Sequence, residues 1–341
     1  LKVGIYTDVH YGQYSSILRM RGQHYSKRLE NCIQSLNWAE QLFQEQKCDM
    51  VVCLGDFFDH AQLGAEELTA LNELKIGPGR HVAIVGNHEI TNASRTFNSM
   101  SILQRLHWEV ISAPQIEAYH DYSFIYLPYI VEEERKPLVD YCQGASGSKI
   151  VFSHNDIKGI RYGAFVSEEG FDLKEIEQES SLFLNGHLHN GQFLNEVETI
   201  LNLGNLTGQN FGEDAFHFKH YACILDTSTL ELQFFENPYA FNFVKVDLTA
   251  GEDLQSLREI PNAVATIRTY EDQVASVRQA LEELPVVANR VLIVPRETQA
   301  SVTAEEVIAS IDHLDLFKTF TLEKLGNTTL VQQELAQLME G

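Results

Sequence analysis

Five short apolar runs in this chain each lead into side chains able to ligate a metal ion. Asp8 and His10 follow the first run, and Asp56 follows the run Met50-Val51-Val52-Cys53-Leu54-Gly55. Asn87 and His88 follow His81-Val82-Ala83-Ile84-Val85-Gly86. His154 follows Ile150-Val151-Phe152-Ser153, and His187 and His189 follow Leu182-Phe183-Leu184-Asn185-Gly186. Taken singly, each is ordinary: an Asp after a Gly is usually a turn or a helix cap. Taken together, they share a position at the C-terminal ends of candidate strands. Parallel or mixed sheets bring such ends to one edge, where α/β proteins place their ligands. Oxygen and imidazole donors without thiolate suit manganese, iron or zinc. Asp56, at the end of the most buried-looking run, is expected to bridge two ions.

The elements that must position these groups are legible in outline. Two adjacent valines in a short apolar run read as a buried strand. A helix is expected near Leu29 to Gln46, with Leu29, Ile33, Leu36, Leu42 and Phe43 on one face. A second is expected around Ala65 to Leu74, burying Leu68 and Leu71, and a third is marked by Met100, Leu103 and Leu106. Tyr122 to Ile130 and Thr199 to Leu203 read as strands, and Tyr221 to Phe235 as a hairpin about Asp226 to Thr229. Asn237-Pro238 is a plausible boundary. Strands at Phe243 to Leu248 and Arg290 to Val294, with helical patterns between, follow it as a small α/β domain. The end of the chain is helical, with Thr303 and Glu306 at capping-box spacing and apolar faces at Val307 to Phe317 and Leu330 to Leu338.

Composition bounds the class. The 341 residues are 44% hydrophobic and 21% charged, an ordinary soluble balance. No apolar run reaches the roughly 18 residues that span a bilayer, and no secretory signal is visible at the start. Five scattered cysteines fit no zinc or disulfide spacing, so reduced thiols and a cytoplasmic location are expected. The net charge of −23 argues against nucleic acid as a partner. Bound divalent cations temper that objection. So does the stretch from Arg19 to Arg28, where Arg19, Arg21, Lys27 and Arg28 occur without an acid.

The order Asp-x-His, Gly-Asp, Gly-Asn-His-Glu, His, Gly-His-x-His resembles that of the calcineurin-like metallophosphoesterases over residues 2 to 189. Within that superfamily the chain looks like the SbcD-type DNA repair nucleases. The shared features are Asp8-Val9-His10-Tyr11-Gly12-Gln13 before an arginine-containing loop, Gly55-Asp56-Phe57-Phe58-Asp59, and the region from Leu203-Gly204-Asn205-Leu206 to Phe211-Gly212-Glu213. In size it resembles the small recombination endonuclease subunit of large phages, which would place it in a host cytoplasm. The resemblance implies an α/β fold of two central mixed β-sheets flanked by helices. It also implies a nuclease domain over 1–237, a small α/β domain capping DNA over 238–300, and C-terminal helices over 301–341.

It further implies two divalent ions, manganese before magnesium or zinc. Asp8, His10, Asp56 and His189 would hold one, and Asp56, Asn87, His154 and His187 the other. His88 becomes the general acid, or the group that steadies the leaving 3′ oxygen. Two ions roughly 3.5–4 Å apart would activate a water and clamp the scissile phosphate. The family's partners are DNA, an SbcC-type coiled-coil ABC ATPase docked on the C-terminal helices, and a second copy met through helices between Leu29 and Met100. Two positions depart from the pattern. Asp59 stands where many cellular members have His, which leaves the balance of exonuclease and endonuclease activity open. Gly204-Asn205-Leu206 stands in place of Gly-Ser-Pro.

The expected function is therefore a manganese-dependent DNA exonuclease or endonuclease of repair and recombination. A phosphoesterase acting on small phosphodiesters or phosphoproteins, and an architectural DNA-end tether, are the alternatives.

Overall fold

The computed structural model describes residues 1–91, 95–162, 165–213 and 215–296. Residues Leu1–Val294 form one compact unit. The expected C-terminal helices over 301–341 lie outside the described residues. Seventeen strands are present among those described. They are β1 (Lys2–Tyr6), β2 (Met50–Cys53), β3 (Arg80–Ile84), β4 (Glu109–Ile111), β5 (Gln115–Ala118) and β6 (Tyr122–Leu127). Next come β7 (Ser148–Ser153), the short β8 (Arg161–Tyr162) and β9 (Phe165–Val166), β10 (Leu182–Asn185), β11 (Gln192–Phe193) and β12 (Ile200–Asn202). The series ends with β13 (Tyr221–Asp226), β14 (Glu231–Glu236), β15 (Asn242–Asp247), β16 (Ala263–Tyr270) and β17 (Val286–Val294).

Two six-stranded mixed sheets form the body, in the orders β14-β13-β1-β2-β3-β4 and β11-β12-β10-β7-β6-β5. The apolar runs are continuous because both faces of each central strand are covered. In β2, Met50 and Val52 turn toward the second sheet, while Val51 and Cys53 turn outward to a helix layer. β3 repeats this with Val82 and Ile84 inward and Ala83 outward. From the second sheet, Phe124, Tyr126, Ile150, Phe152, Leu182, Leu184 and Leu201 meet them. Ile125, Val151, Phe183 and Ile200 line the second sheet's outer face, under Leu138 and Ile176 of short helices. Each fully buried side chain of this size contributes roughly 1.5–3 kcal/mol, so the inter-sheet layer holds the two ligand-bearing edges together.

Helix α1 (Lys27–Glu45) covers the first sheet. Ser26 caps it by accepting from Leu29 N–H at 3.1 Å. Its apolar residues recur at helical spacing, and Leu29, Ile33, Leu36 and Phe43 are buried. Helix α2 is shorter than expected, Ala65–Ala70 followed by a 3₁₀ turn over Leu71–Glu73. Leu71 is buried, but Leu68 is 43% exposed. Glu67 takes the inward place instead, accepting from Gln13 N–H and Gly64 N–H. The expected third helix is a 3₁₀ segment, Ser99–Leu106.

After Asn237 a third, all-parallel sheet runs β15-β16-β17. Its central strand, β16, has no counterpart in the sequence reading. Polar residues and small apolar ones dilute the signal along Ala263–Tyr270. A small apolar cluster joins Leu18 to Phe241, Phe243, Val264 and Ala288 of this region. All five cysteines are free. Among the described residues no helix is long and apolar enough to cross a membrane.

Candidate metal centre

Strands β1, β2 and β3 run parallel, with Tyr6 beside Cys53 and Cys53 beside Ala83. Strands β6, β7, β10 and β12 are likewise parallel neighbours. Their C-terminal ends bring three sets of donors together: Asp8, His10 and His189; His10, Asp56 and His88; and Asp56, His154 and His187. Within each set the ligand atoms lie within 4.8 Å of one another. Asn87 joins the third set, its Oδ1 lying 3.1 Å from His154 Nε2 and 3.0 Å from His187 Nδ1. Asp56 belongs to two of the sets.

The backbone around these residues is strained in a local and repeated way. Asp8, His10, Asp56 and His187 all adopt positive φ, between 46° and 79°. Non-glycine residues reach that region at a cost of order 1–3 kcal/mol each, which the surrounding structure must offset. The loop after β1 is fixed against the loop after β2 by three backbone hydrogen bonds: Asp8 N–H to Gly55 O, His10 N–H to Asp56 O and Tyr11 N–H to Phe57 O. Two glycines allow the close approach. Gly55 has φ of +104°, and a Cβ there would lie 2.4 Å from the His154 ring. At Gly86 a Cβ would lie 2.2 Å from Asp56 Oδ1.

The imidazoles are oriented by groups behind them. His189 Nδ1 lies 3.0 Å from Glu213 Oε1, His187 Nε2 3.1 Å from Asp156 Oδ1, and His154 Nδ1 2.7 Å from the Leu54 carbonyl. His10 Nδ1 lies 3.2 Å from Asp59 Oδ1, close but off the line of a formed hydrogen bond. With each Nδ1 turned to a carboxylate, the Nε2 atoms of His10 and His189 face each other at 3.0 Å. Two imidazole nitrogens at that distance call for a shared proton or a cation beside them. The oxygen and imidazole donor set fits a divalent cation there. Asp8 is steadied by Thr7 Oγ1 at 2.5 Å and by His187 N–H at 3.0 Å.

The charge states follow from the packing. Burial favours the neutral carboxyl at Asp56, but the His154 imidazole 3.1 Å away outweighs it, and Asp56 is held well below the usual carboxylate range. Burial likewise opposes a charged His154, yet Asp56 pushes it up to about 10. At His10 burial dominates, and its pKa is lowered. Burial, then the negative Asp56, raise Glu89 to about 8, while it accepts from Gly86 N–H and Phe58 N–H.

His88 lies beside the donors. Its ring meets that of His10 edge-on at 4.7 Å, and its Nε2 is 4.0 Å from Asp56 Oδ2. Its own N–H donates to Asp56 Oδ1, and the ring Nδ1 reaches the Asp59 carbonyl at 2.7 Å.

The expected DNA-contacting cations fare differently. Arg19 and Lys27 are exposed, and Arg21 is paired with Glu66 at 2.7 Å. Arg28 is corrected: it is fully buried and cannot meet a phosphate at the surface. Its guanidinium donates to the carbonyls of Val9, His10, Thr207 and Gly208, to Thr207 Oγ1 and to Gln209 Oε1. It ties the first ligand loop to the segment after β12. The sequence reading gave no role to Asp156, Glu213 or Gln209. Asp156 follows His154 by two residues, and that spacing was a usable signal.

The family model described as calcineurin-like phosphoesterase matches residues 1–235. Comparison with curated proteins finds no match. Among solved structures the chain is similar to an archaeal phosphodiesterase at 16% identity and a TM-score of 0.37, covering 69% of this chain and 99% of that one. A dimetal phosphatase from Danio rerio matches at 15% identity and 0.39, covering 65% and 91%. A protein from Thermus thermophilus matches at 10% and 0.40, covering 69% and 98%. With its match spanning both ligand-bearing sheets, the chain belongs to the calcineurin-like phosphoesterase family and is a metal-dependent phosphoesterase.

Proposed function

We propose that the protein is a manganese-dependent DNA nuclease, acting as a subunit of a DNA repair and recombination complex. The observation that carries this reading is the placing of His88 at the edge of a full two-ion donor set. Asp8, His10 and His189 would hold one ion, Asn87, His154 and His187 the other, and Asp56 both. When bound, the ions supply Lewis acidity at the phosphate and an activated water. Asp56 stays ionised, as the shared ligand requires. His88 has its Nδ1 engaged by the Asp59 carbonyl, which leaves Nε2 to hold a proton for the departing oxygen. Its ring is 40% exposed, so a substrate can reach it.

Support for a nucleotide substrate comes from a cleft of about 610 Å³ that His189 also lines. The exposed Phe216 and the half-buried Phe211 and Phe218 face it with Lys245, over the buried Phe243. Aromatic faces beside a cation suit stacked bases and their phosphates. The exposed Arg19 and Lys27 add positive charge outside the cleft. We further propose an SbcC-type ABC ATPase partner for residues 301–341 and a homodimer through helices between Leu29 and Met100. The net charge of −23 favours a second reading, a phosphodiesterase of small substrates.

Purified protein with Mn²⁺ on labelled duplex and single-stranded DNA, with and without the ATPase, separates the readings. Cleavage of DNA is expected. Rapid turnover of a small phosphodiester with intact DNA would overturn the nuclease reading, and DNA bridging without any turnover would favour a tether.

A further inference from the structure

Gln209 connects the two carboxylates that stand behind His10 and His189. Its Nε2 donates to Asp59 Oδ1 at 2.7 Å, and its Oε1 accepts from Arg28 Nη2 at 3.0 Å. Its backbone N–H donates to both Glu213 oxygens, at 2.8 and 3.0 Å. The amide can sit only one way round, because the guanidinium only donates and the carboxylate only accepts. Arg28 is always charged and fully buried, so it holds that orientation permanently.

We propose that Gln209 is a positioning residue for the ion held by Asp8, His10 and His189, and not for the second ion. It sets Asp59 against His10 Nδ1 through its side chain, and Glu213 against His189 Nδ1 through its backbone. The inference rests on the two-ion reading of the site and is independent of the substrate. A ligating imidazole works only when its far nitrogen is held so that the near lone pair points at the ion, and a carboxylate behind it raises its basicity. Asp59 needs this support. It is off line to His10, and His60 Nδ1 lies 3.7 Å from its other oxygen as a rival partner. The second ion's imidazoles depend on the Leu54 carbonyl and on Asp156, neither of which is among these contacts of Gln209. Asp59, the position that departs from the family pattern, thereby acquires a place in the site.

The test is calorimetric and electron paramagnetic resonance titration of Mn²⁺ into the full chain, comparing wild type with Gln209→Met and Thr207→Val. Methionine fills similar volume without the hydrogen bonds. Thr207→Val removes both an Arg28 acceptor and a donor to the Val9 carbonyl of the first ligand loop but leaves the Gln209 to Asp59 bond in place, so it reports loss of loop support without loss of that bond. Wild type is expected to bind two ions. Gln209→Met is expected to weaken one of them by about 10–100-fold and leave the other unchanged. Thr207→Val is expected to lower the melting temperature with both affinities unchanged. Asp59→Asn, which keeps the shape and removes the charge, is expected to reproduce the selective loss. Equal affinities in wild type, Gln209→Met and Asp59→Asn would overturn the proposal. So would an equal loss in Thr207→Val. A wild type that binds no Mn²⁺ would remove the two-ion reading and the proposal with it, whereas a two-ion wild type with insensitive variants would remove the proposal alone.

Discussion

His10 and His189 meet through their Nε2 atoms at 3.0 Å while their Nδ1 atoms turn away toward Asp59 and Glu213. This pair is arranged for a cation. Removing the ions with a chelator should leave the donors without the cation and lower the melting temperature. An ion present at about a hundred times its dissociation constant stabilises the fold by about 2.7 kcal/mol. Thermal unfolding with and without excess Mn²⁺ reads this directly, and an unchanged transition would contradict it.

Ion uptake should release a proton and strengthen with pH. In the ion-free protein Asp56 raises His154 to about 10, against the effect of burial. The protonated ring cannot offer Nε2 to an ion, so one proton must leave. Apparent affinity should climb by up to about tenfold per pH unit while His154 remains protonated. Titration in buffers of different ionisation enthalpy counts the proton. A flat affinity between neutral and alkaline pH would show that His154 is already neutral.

Asp56→Ala should abolish binding of both ions, because Asp56 lies within reach of His10 on one side and of His154 and His187 on the other. Activity should fall by about a thousandfold or more, given that metal chemistry supplies several kcal/mol. Retention of either ion at wild-type affinity would rule out the bridging role.

His88→Ala should leave both ions bound and slow turnover by about 10²–10⁴-fold. The loss should shrink on a substrate whose leaving group needs no proton, such as a p-nitrophenyl ester. An emptied site in this variant would make His88 a ligand instead.

Arg28→Met should destabilise the fold by at least about 3 kcal/mol, since hydrogen bonds to a charged group are worth about 1.5–3 kcal/mol each and the buried carbonyls would be left unpaired. Urea denaturation measures it. Arg19→Ala and Lys27→Ala, by contrast, should leave stability unchanged and reduce the salt dependence of DNA binding by about one ion each. Normal stability in Arg28→Met would return Arg28 to the surface role first expected of it.

Residue type and local order were enough to single out Asp8, His10, Asp56, Asn87, His88, His154, His187 and His189 as candidates, because they follow five strands and strand ends converge in a parallel sheet. The buried alternation of β2 was legible for the same reason: a run apolar on both faces must be covered on both. Propensity could not tell that Leu68 would face water while Glu67 turned inward, since that depends on Gln13 and Gly64 as partners. Nor could charge tell Arg28 from Arg19. Only the tertiary structure places Thr207, Gly208 and Gln209, about 180 positions away, around the Arg28 guanidinium. The same holds for Gln209 and Asp59, 150 residues apart. A linear sequence specifies the ligands through local spacing, but the groups that orient them are chosen by which distant loops the packed sheets bring within hydrogen-bond reach.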